Sequence, residues 1–188
     1  MNTFFIAVQI FYLLLALILI IYLLNTVLSF RKLVPYVPTP YKIIKKMIRL
    51  ADIKPADKII DLGSGSGRII LEIAKKFPNQ ITGIDNSPIL IFITRWRFWL
   101  HKIFGRLKTK NYQIIKTDFL NYDLSQETLI FCFLTNQAME KLAANFEKLP
   151  GGAKIISYHF HFNSDEFQQQ RIDIKGRAKI YIYVKLAS

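Results

Sequence analysis

The chain has 188 residues, 52% of them hydrophobic, and a formal net charge of +13 at pH 7. That length holds one domain and little more, and a lone cysteine, Cys132, excludes an intrachain disulfide framework and fits a reducing compartment. The charge favours anionic partners (lipid head groups, nucleic acid or acidic proteins) without choosing among them.

Residues 1–30 contain no Lys, Arg, Asp or Glu, so all 26 basic and 13 acidic residues lie beyond them. From Phe4 to Leu24 the only clearly polar side chain is Gln9, and a helix of that length spans ~31 Å, close to the hydrocarbon thickness of a bilayer. As a core helix it would have to be surrounded by a domain too small to do so and also build its own core. A cleavable signal peptide is disfavoured by the length of the apolar run, the lack of Lys or Arg before it and the lack of a small-x-small site after it. Residues 1–30 therefore read as a transmembrane anchor, with residues 4–24 in membrane lipid. Arg31, Lys32, Lys42, Lys45 and Lys46 follow the span. Basic flanks stay inside, which predicts a single-pass protein of the cell membrane with its N-terminus outside and its domain cytoplasmic.

Residues 31–40 form a proline-rich linker ending Val34-Pro35-Tyr36-Val37-Pro38-Thr39-Pro40, stiffened into extended backbone. Thr39 reads as a helix N-cap with Pro40 as first helical residue. The domain, 41–188, opens with a helix bearing apolar Ile43, Ile44, Met47, Ile48 and Ala51 at helical spacing. Beyond it strands (58–62, 80–84, 112–116, 128–134, 153–158) alternate with helices (68–76, 88–107, 136–149). The C-terminal stretches 171–174 and 179–186 alternate around Gly176 as a hairpin. The pattern predicts an α/β fold: a Rossmann-like, mainly parallel sheet with a C-terminal antiparallel hairpin. Cys132 falls in the apolar run 129–134 and is expected to be buried and inert.

Chemistry concentrates at Asp61-Leu62-Gly63-Ser64-Gly65-Ser66-Gly67, after a strand and before a helix. Glycines there permit a tight turn and close backbone approach to a ligand at the carboxyl edge of the sheet. A nicotinamide or flavin site needs G-x-G-x-x-G/A, and from Gly63 that pattern places Arg68 where the small residue belongs. Asp85 ends the second strand, where a carboxylate accepts from ribose hydroxyls. Asp118 follows the third, placed to accept from an adenine amine, with Phe119 beside the base. A lone Asp after a strand is usually a turn residue, but three at successive strand ends, with the glycine loop, point to a ligand. His159-x-His161 lacks the partners of a metal site, so no metal is expected. Strand-end packing is its plainer reading, and one of the pair as a general base is the other.

The D-x-G-x-G-x-G loop with Asp85 and Asp118 resembles the class I methyltransferases. More narrowly, Val37-Pro38-Thr39-Pro40, the run from Asp61 to Ile69, and Ser157-Tyr158-His159-Phe160 resemble the membrane-anchored lysine methyltransferases of the ATP synthase c-subunit and the adenine nucleotide translocase, and their prokaryotic relatives. The resemblance implies S-adenosyl-L-methionine as donor, with Asp61 and the glycines at its methionine end, Asp85 at ribose and Asp118 at adenine. The cofactor-binding set is then Thr39, Asp61, Gly63, Ser64, Gly65, Gly67, Asp85, Asn86, Asp118, Phe119 and Leu134. Two departures stand out: Ser66 where these relatives often have Asp, and Leu134-Thr135-Asn136-Gln137 where a Leu-Pro pair is common. The second stretch also lacks the Asn-Pro-Pro-Tyr motif of enzymes that methylate planar amines, which disfavours a nucleic-acid base as acceptor. A lysine of a membrane-associated protein is the acceptor the resemblance implies, in a pocket lined by Tyr36, Tyr158 and Phe160. The alternatives are methyl transfer to a lipid, small molecule or RNA, or a tethered cofactor-binding module without transfer activity.

Residues 94–110 interleave basic and aromatic side chains, with both tryptophans among them. Half of that segment must pack on the sheet, and the aromatics exceed one stripe. It therefore reads as a second lipid contact in preference to a stacking platform for RNA, with a solvated face as the plain alternative.

Overall fold

A computed structural model describes residues 2–30, 36–174, 176 and 178–187. The chain divides into two compact units, Met1–Tyr36 and Val37–Ser188. Half of the linker, residues 31–35, lies outside the described residues.

The first unit is one helix, α1 (Asn2–Phe30). Its window Phe4–Ile21 has a mean hydropathy of 2.9 and no buried residue, so it is long and apolar enough to cross a membrane.

The second unit is a seven-stranded sheet covered by four helices. In chain order it runs α2 (Tyr41–Ala51), β1 (Lys58–Leu62), α3 (Arg68–Ala74), β2 (Gln80–Asp85), α4 (Pro88–Ile103), β3 (Tyr112–Lys116), β4 (Leu129–Cys132), α5 (Asn136–Phe146), β5 (Lys154–Tyr158), β6 (Phe167–Asp173) and β7 (Lys179–Lys185). The strand order is β3-β2-β1-β4-β5-β7-β6. β1 to β5 are parallel, and β7 lies antiparallel between β5 and β6. The Rossmann-like sheet and terminal hairpin are as the sequence pattern predicts. Because β1 sits between β2 and β4, the order reverses there, and the crevice beyond its carboxyl end is where such sheets bind ligands.

Side-chain alternation along the strands separates two cores. Ile180 and Ile182 of β7 belong to the cluster made with Ile44 and Met47 of α2, Ile70 of α3 and Phe98 of α4. Tyr183, pointing the other way, meets Phe162 at 4.3 Å between ring centroids, and Phe162 meets Phe146 of α5 at 5.0 Å. Cys132 is buried, and that burial pushes its thiol up to about 12.

Several boundaries differ from the sequence expectation. Thr39 does not cap α2: Pro40 holds the cap position with extended backbone and no side-chain bond. Thr39 is instead buried, and its carbonyl accepts from Arg68 Nη1 at 3.3 Å. The segment 94–110 is helical only to Ile103, because Gly105 takes a φ of +60° just after the cap residue Phe104. β4 stops at Cys132, two residues before the predicted end, and α5 stops at Phe146. β6 begins at Phe167, four residues before the predicted Arg171.

The approach to β1 is fixed by one buried side chain. Asn79 Nδ2 donates to the carbonyl oxygens of Lys54 at 2.8 Å, Asp57 at 2.9 Å and Pro55 at 3.3 Å. Removing that donor leaves carbonyls short of a partner beside a buried site. Asn79→Ala is therefore expected to lower stability by about 1–3 kcal/mol. Asn79→Asp, which sets a carboxylate against the same oxygens, should cost more, as read from urea unfolding of the detergent-solubilised chain.

Candidate active site

Between β1 and α3 the chain must turn within five residues, and it does so with positive φ at Gly63 (+70°), Gly65 (+56°) and Gly67 (+70°). Gly67 is also closed to a side chain, and Gly63 leaves one only a tight fit. A Cβ on Gly67 would sit 2.4 Å from Thr94 Cγ2, and one on Gly63 would sit 3.1 Å from Leu134 Cδ2. Thr94 is fully buried on the core side of α4, so it has no room to retreat.

The turn is held from four directions. Asp85 accepts from Gly65 N–H at 2.9 Å through one carboxylate oxygen and from Ser87 N–H at 2.8 Å through the other. Thr94 Oγ1 donates to the Gly65 carbonyl at 2.9 Å. Ser64 N–H donates to the Ile84 carbonyl at 2.8 Å. Arg97 Nη1 donates to the Ser66 carbonyl at 2.6 Å.

Asp61, next to last in β1, lies beside this turn and is 2% exposed. Burial, and then the charge of Asp85, push its carboxyl well above the ordinary carboxylate range. Ser64 Oγ is buried and has no hydrogen-bond partner among the described residues. A buried acid and an orphaned buried hydroxyl beside a glycine turn fit a ligand carrying an ammonium and a sulfonium, as S-adenosyl-L-methionine does.

The remaining candidates distribute as follows. Asn86 is exposed directly after Asp85. Asp118 is half-buried, and its Oδ1 accepts from Leu120 N–H at 3.0 Å, capping a short 3-10 turn. Phe119 is buried at the start of that turn, and Leu134 is buried against Gly63. Because β1 to β5 run parallel, the strand ends carrying Asp61, Asp85, Asp118 and Leu134 share one edge of the sheet. Thr39 joins them indirectly, through Arg68 at the start of α3.

At the ends of β4 and β5 an aromatic group forms beside these residues. Phe133 meets Tyr158 at 4.7 Å and stacks with Phe160 at 6.0 Å. The turn that returns Phe160 is drawn in by Ser157 Oγ, which donates to the Phe160 carbonyl at 2.6 Å, and His159 takes a φ of +75° to make it. Tyr36 belongs to the first unit. His161 stacks on Tyr181, while the His159 ring meets Phe160 edge-on. No cluster of three His, Cys, Asp or Glu stands among the described residues.

Sequence reasoning missed Thr94, Arg97 and Phe133. A threonine on the buried stripe of an apolar helix was the available signal for the first. Phe133 hid inside a run read as strand.

Comparison with known proteins places this geometry. The ANTKMT methyltransferase domain matches residues 61–169. A protein-lysine N-methyltransferase of Saccharolobus islandicus is 34% identical over 129 residues, which cover 68% of this chain and 77% of the relative. The mouse lysine N-methyltransferase of the ATP synthase c-subunit is 29% identical over 130 residues, and the match spans only 49% of its length. Among solved structures, an RNA methyltransferase from Salinibacter ruber in complex with S-adenosyl-L-homocysteine superposes with a TM-score of 0.70 at 25% identity, covering 81% of this chain and 95% of that one.

The turn and its acid can each be tested by substitution. Gly67→Ala should weaken S-adenosyl-L-methionine binding by about five- to 150-fold, since strained backbone and a clash together cost about 1–3 kcal/mol. Thr94→Ser, which removes Cγ2 and keeps the hydroxyl, should restore part of the loss in calorimetry. For Asp61, a raised carboxyl contributes stability that is present below the ordinary carboxylate range and lost as pH rises through its own higher value. Ligand-free Asp61→Asn is therefore expected to lose less stability than the parent between pH 4 and pH 8, while binding the cofactor more weakly. Parallel melting profiles for the two chains would rule out this role for Asp61.

Proposed function

The chain belongs to the ANTKMT methyltransferase domain family and is an S-adenosyl-L-methionine-dependent methyltransferase, and from that premise we propose that its acceptor is a lysine of an integral membrane protein. The observation that carries the acceptor class is the aromatic group Phe133, Tyr158 and Phe160 at the ends of β4 and β5. Aromatic faces attract an alkylammonium and exclude water from it. The names of the relatives from Saccharolobus and mouse support the same reading.

The membrane part rests on α1, a helix of sufficient length and apolarity to anchor the chain. The basic residues that follow it support an orientation with the catalytic unit in the cytoplasm. Residues 31–40 reach at most ~33 Å when extended, so acceptors lie near the bilayer surface.

The bound donor supplies an electrophilic methyl on a sulfonium. Asp61 and the backbone of the glycine turn hold its amino-acid end, Asp85 its ribose and the Asp118–Phe119 turn its base. Phe133, Tyr158 and Phe160 position the acceptor nitrogen. A free lysine has a pKa of about 10.4, and attack requires the neutral amine. The apolar walls lower that value by desolvating the ammonium, and the proton leaves to water at the exposed His159 edge.

Membranes incubated with methyl-labelled donor and the full chain should acquire methyl-mass increments on lysine of an integral protein. The rate should rise with pH through neutrality, by up to about tenfold per unit while the amine is mostly protonated. Phe133→Ala is expected to slow transfer about tenfold and leave cofactor binding unchanged. Label found only in RNA, the acceptor that the +13 charge also favours, or only in lipid or small molecules, overturns the lysine reading and leaves the enzyme class standing.

A further inference from the structure

Helix α4 is apolar on two faces. One face carries Ile91, Thr94 and Phe98 into the core. On the other, Ile89, Phe92, Trp96, Trp99 and Ile103 recur every three or four residues and stay open, with Phe92 68%, Trp96 52% and Trp99 50% exposed. Phe104, just past the helix, extends the ridge at 65% exposure. A surface helix of a domain with its own core has no need of this second stripe.

The charges around the ridge have one sign. Between Asp85 and Asp118 there is no acidic residue and there are seven basic ones. Arg95 and Arg97, which the sequence suggested as lipid contacts, are committed within the domain: Arg95 Nη2 donates to the Ile114 carbonyl at 2.8 Å, and Arg97 holds the glycine turn. Lys102, Arg106, Lys108 and Lys110 remain exposed toward its C-terminal end. The first residues of the unit also lie beside α4, since Arg97 Nη2 donates to Tyr41 Oη at 3.2 Å.

We propose that the exposed ridge of α4 seats in the head-group boundary of an anionic bilayer, with Lys102, Arg106, Lys108 and Lys110 on the lipid phosphates. This rests on the reading of α1 as an anchor. Trp, Phe and Ile flanked by Lys and Arg match the amphipathic gradient of that boundary. Each basic residue near the surface adds to the attraction. A second copy of this chain is disfavoured as the occupant, because it would bring the same cationic segment against itself.

The chain's two tryptophans both lie on the ridge, so intrinsic fluorescence reads this face alone. The full chain is reconstituted into phosphatidylcholine–phosphatidylglycerol vesicles with and without brominated acyl chains. Blue-shifted emission quenched by bromine supports the proposal, and Phe92→Asp with Phe104→Asp should abolish the quenching while cofactor affinity stays unchanged. Water-like, unquenched emission overturns it. So does blue-shifted emission that bromolipid leaves untouched, which would mean that protein covers the ridge. Carbonate extraction of the same vesicles tests α1 separately: release of the chain sinks the anchor reading, whereas retention with unquenched tryptophans sinks only the ridge.

Discussion

The Asp85 carboxylate accepts one backbone N–H on each oxygen, from Gly65 on one side and Ser87 on the other. It thereby ties the glycine turn to the start of α4 across the carboxyl end of β2. Backbone with three positive φ values in five residues has little to hold it in place by itself, so these bonds decide where the turn sits. α4 completes the arrangement from the far side through Thr94 and Arg97. The helix that holds the turn is also the one that carries the exposed ridge.

The sheet and the glycine turn were legible in the sequence because each rests on local signals: apolar runs of strand length, helical spacing and glycines in a fixed register. Asp61, Asp85 and Asp118 could be placed on one edge for the same reason, since parallel strands bring their ends together. What sequence could not show is long-range. Thr39 had every local mark of a cap, yet its carbonyl is taken by Arg68, 29 residues away. The first half of β6 is Phe167-Gln168-Gln169-Gln170, with no apolar alternation to mark it. Its order comes from pairing with β7 along the whole strand, an edge partnership that composition does not encode.

The basic residues divide in a way net charge conceals. Arg68, Arg95 and Arg97 donate to the main-chain carbonyls of Thr39, Ile114 and Ser66, where a guanidinium serves as a multiple donor more than as a field source. Lys185 likewise donates to the Glu147 carbonyl at 3.0 Å. Substituting Arg97 by a neutral side chain would thus loosen the glycine turn as well as lower the charge, whereas substituting an exposed residue such as Lys102 or Arg106 would change only what the surface attracts.

Asp61 and Asp85 set two buried acids on neighbouring strands beside the glycine turn. Both carboxylates are buried, and the charge of Asp85 raises the cost of ionising Asp61. A ligand with two positive groups offsets that cost, and the donor has them, an ammonium and a sulfonium. Methyl transfer leaves a neutral thioether, so the product retains only the ammonium. Carboxylates facing the bound ligand would therefore attract the donor more strongly than the product, and the low dielectric that burial supplies would sharpen the difference.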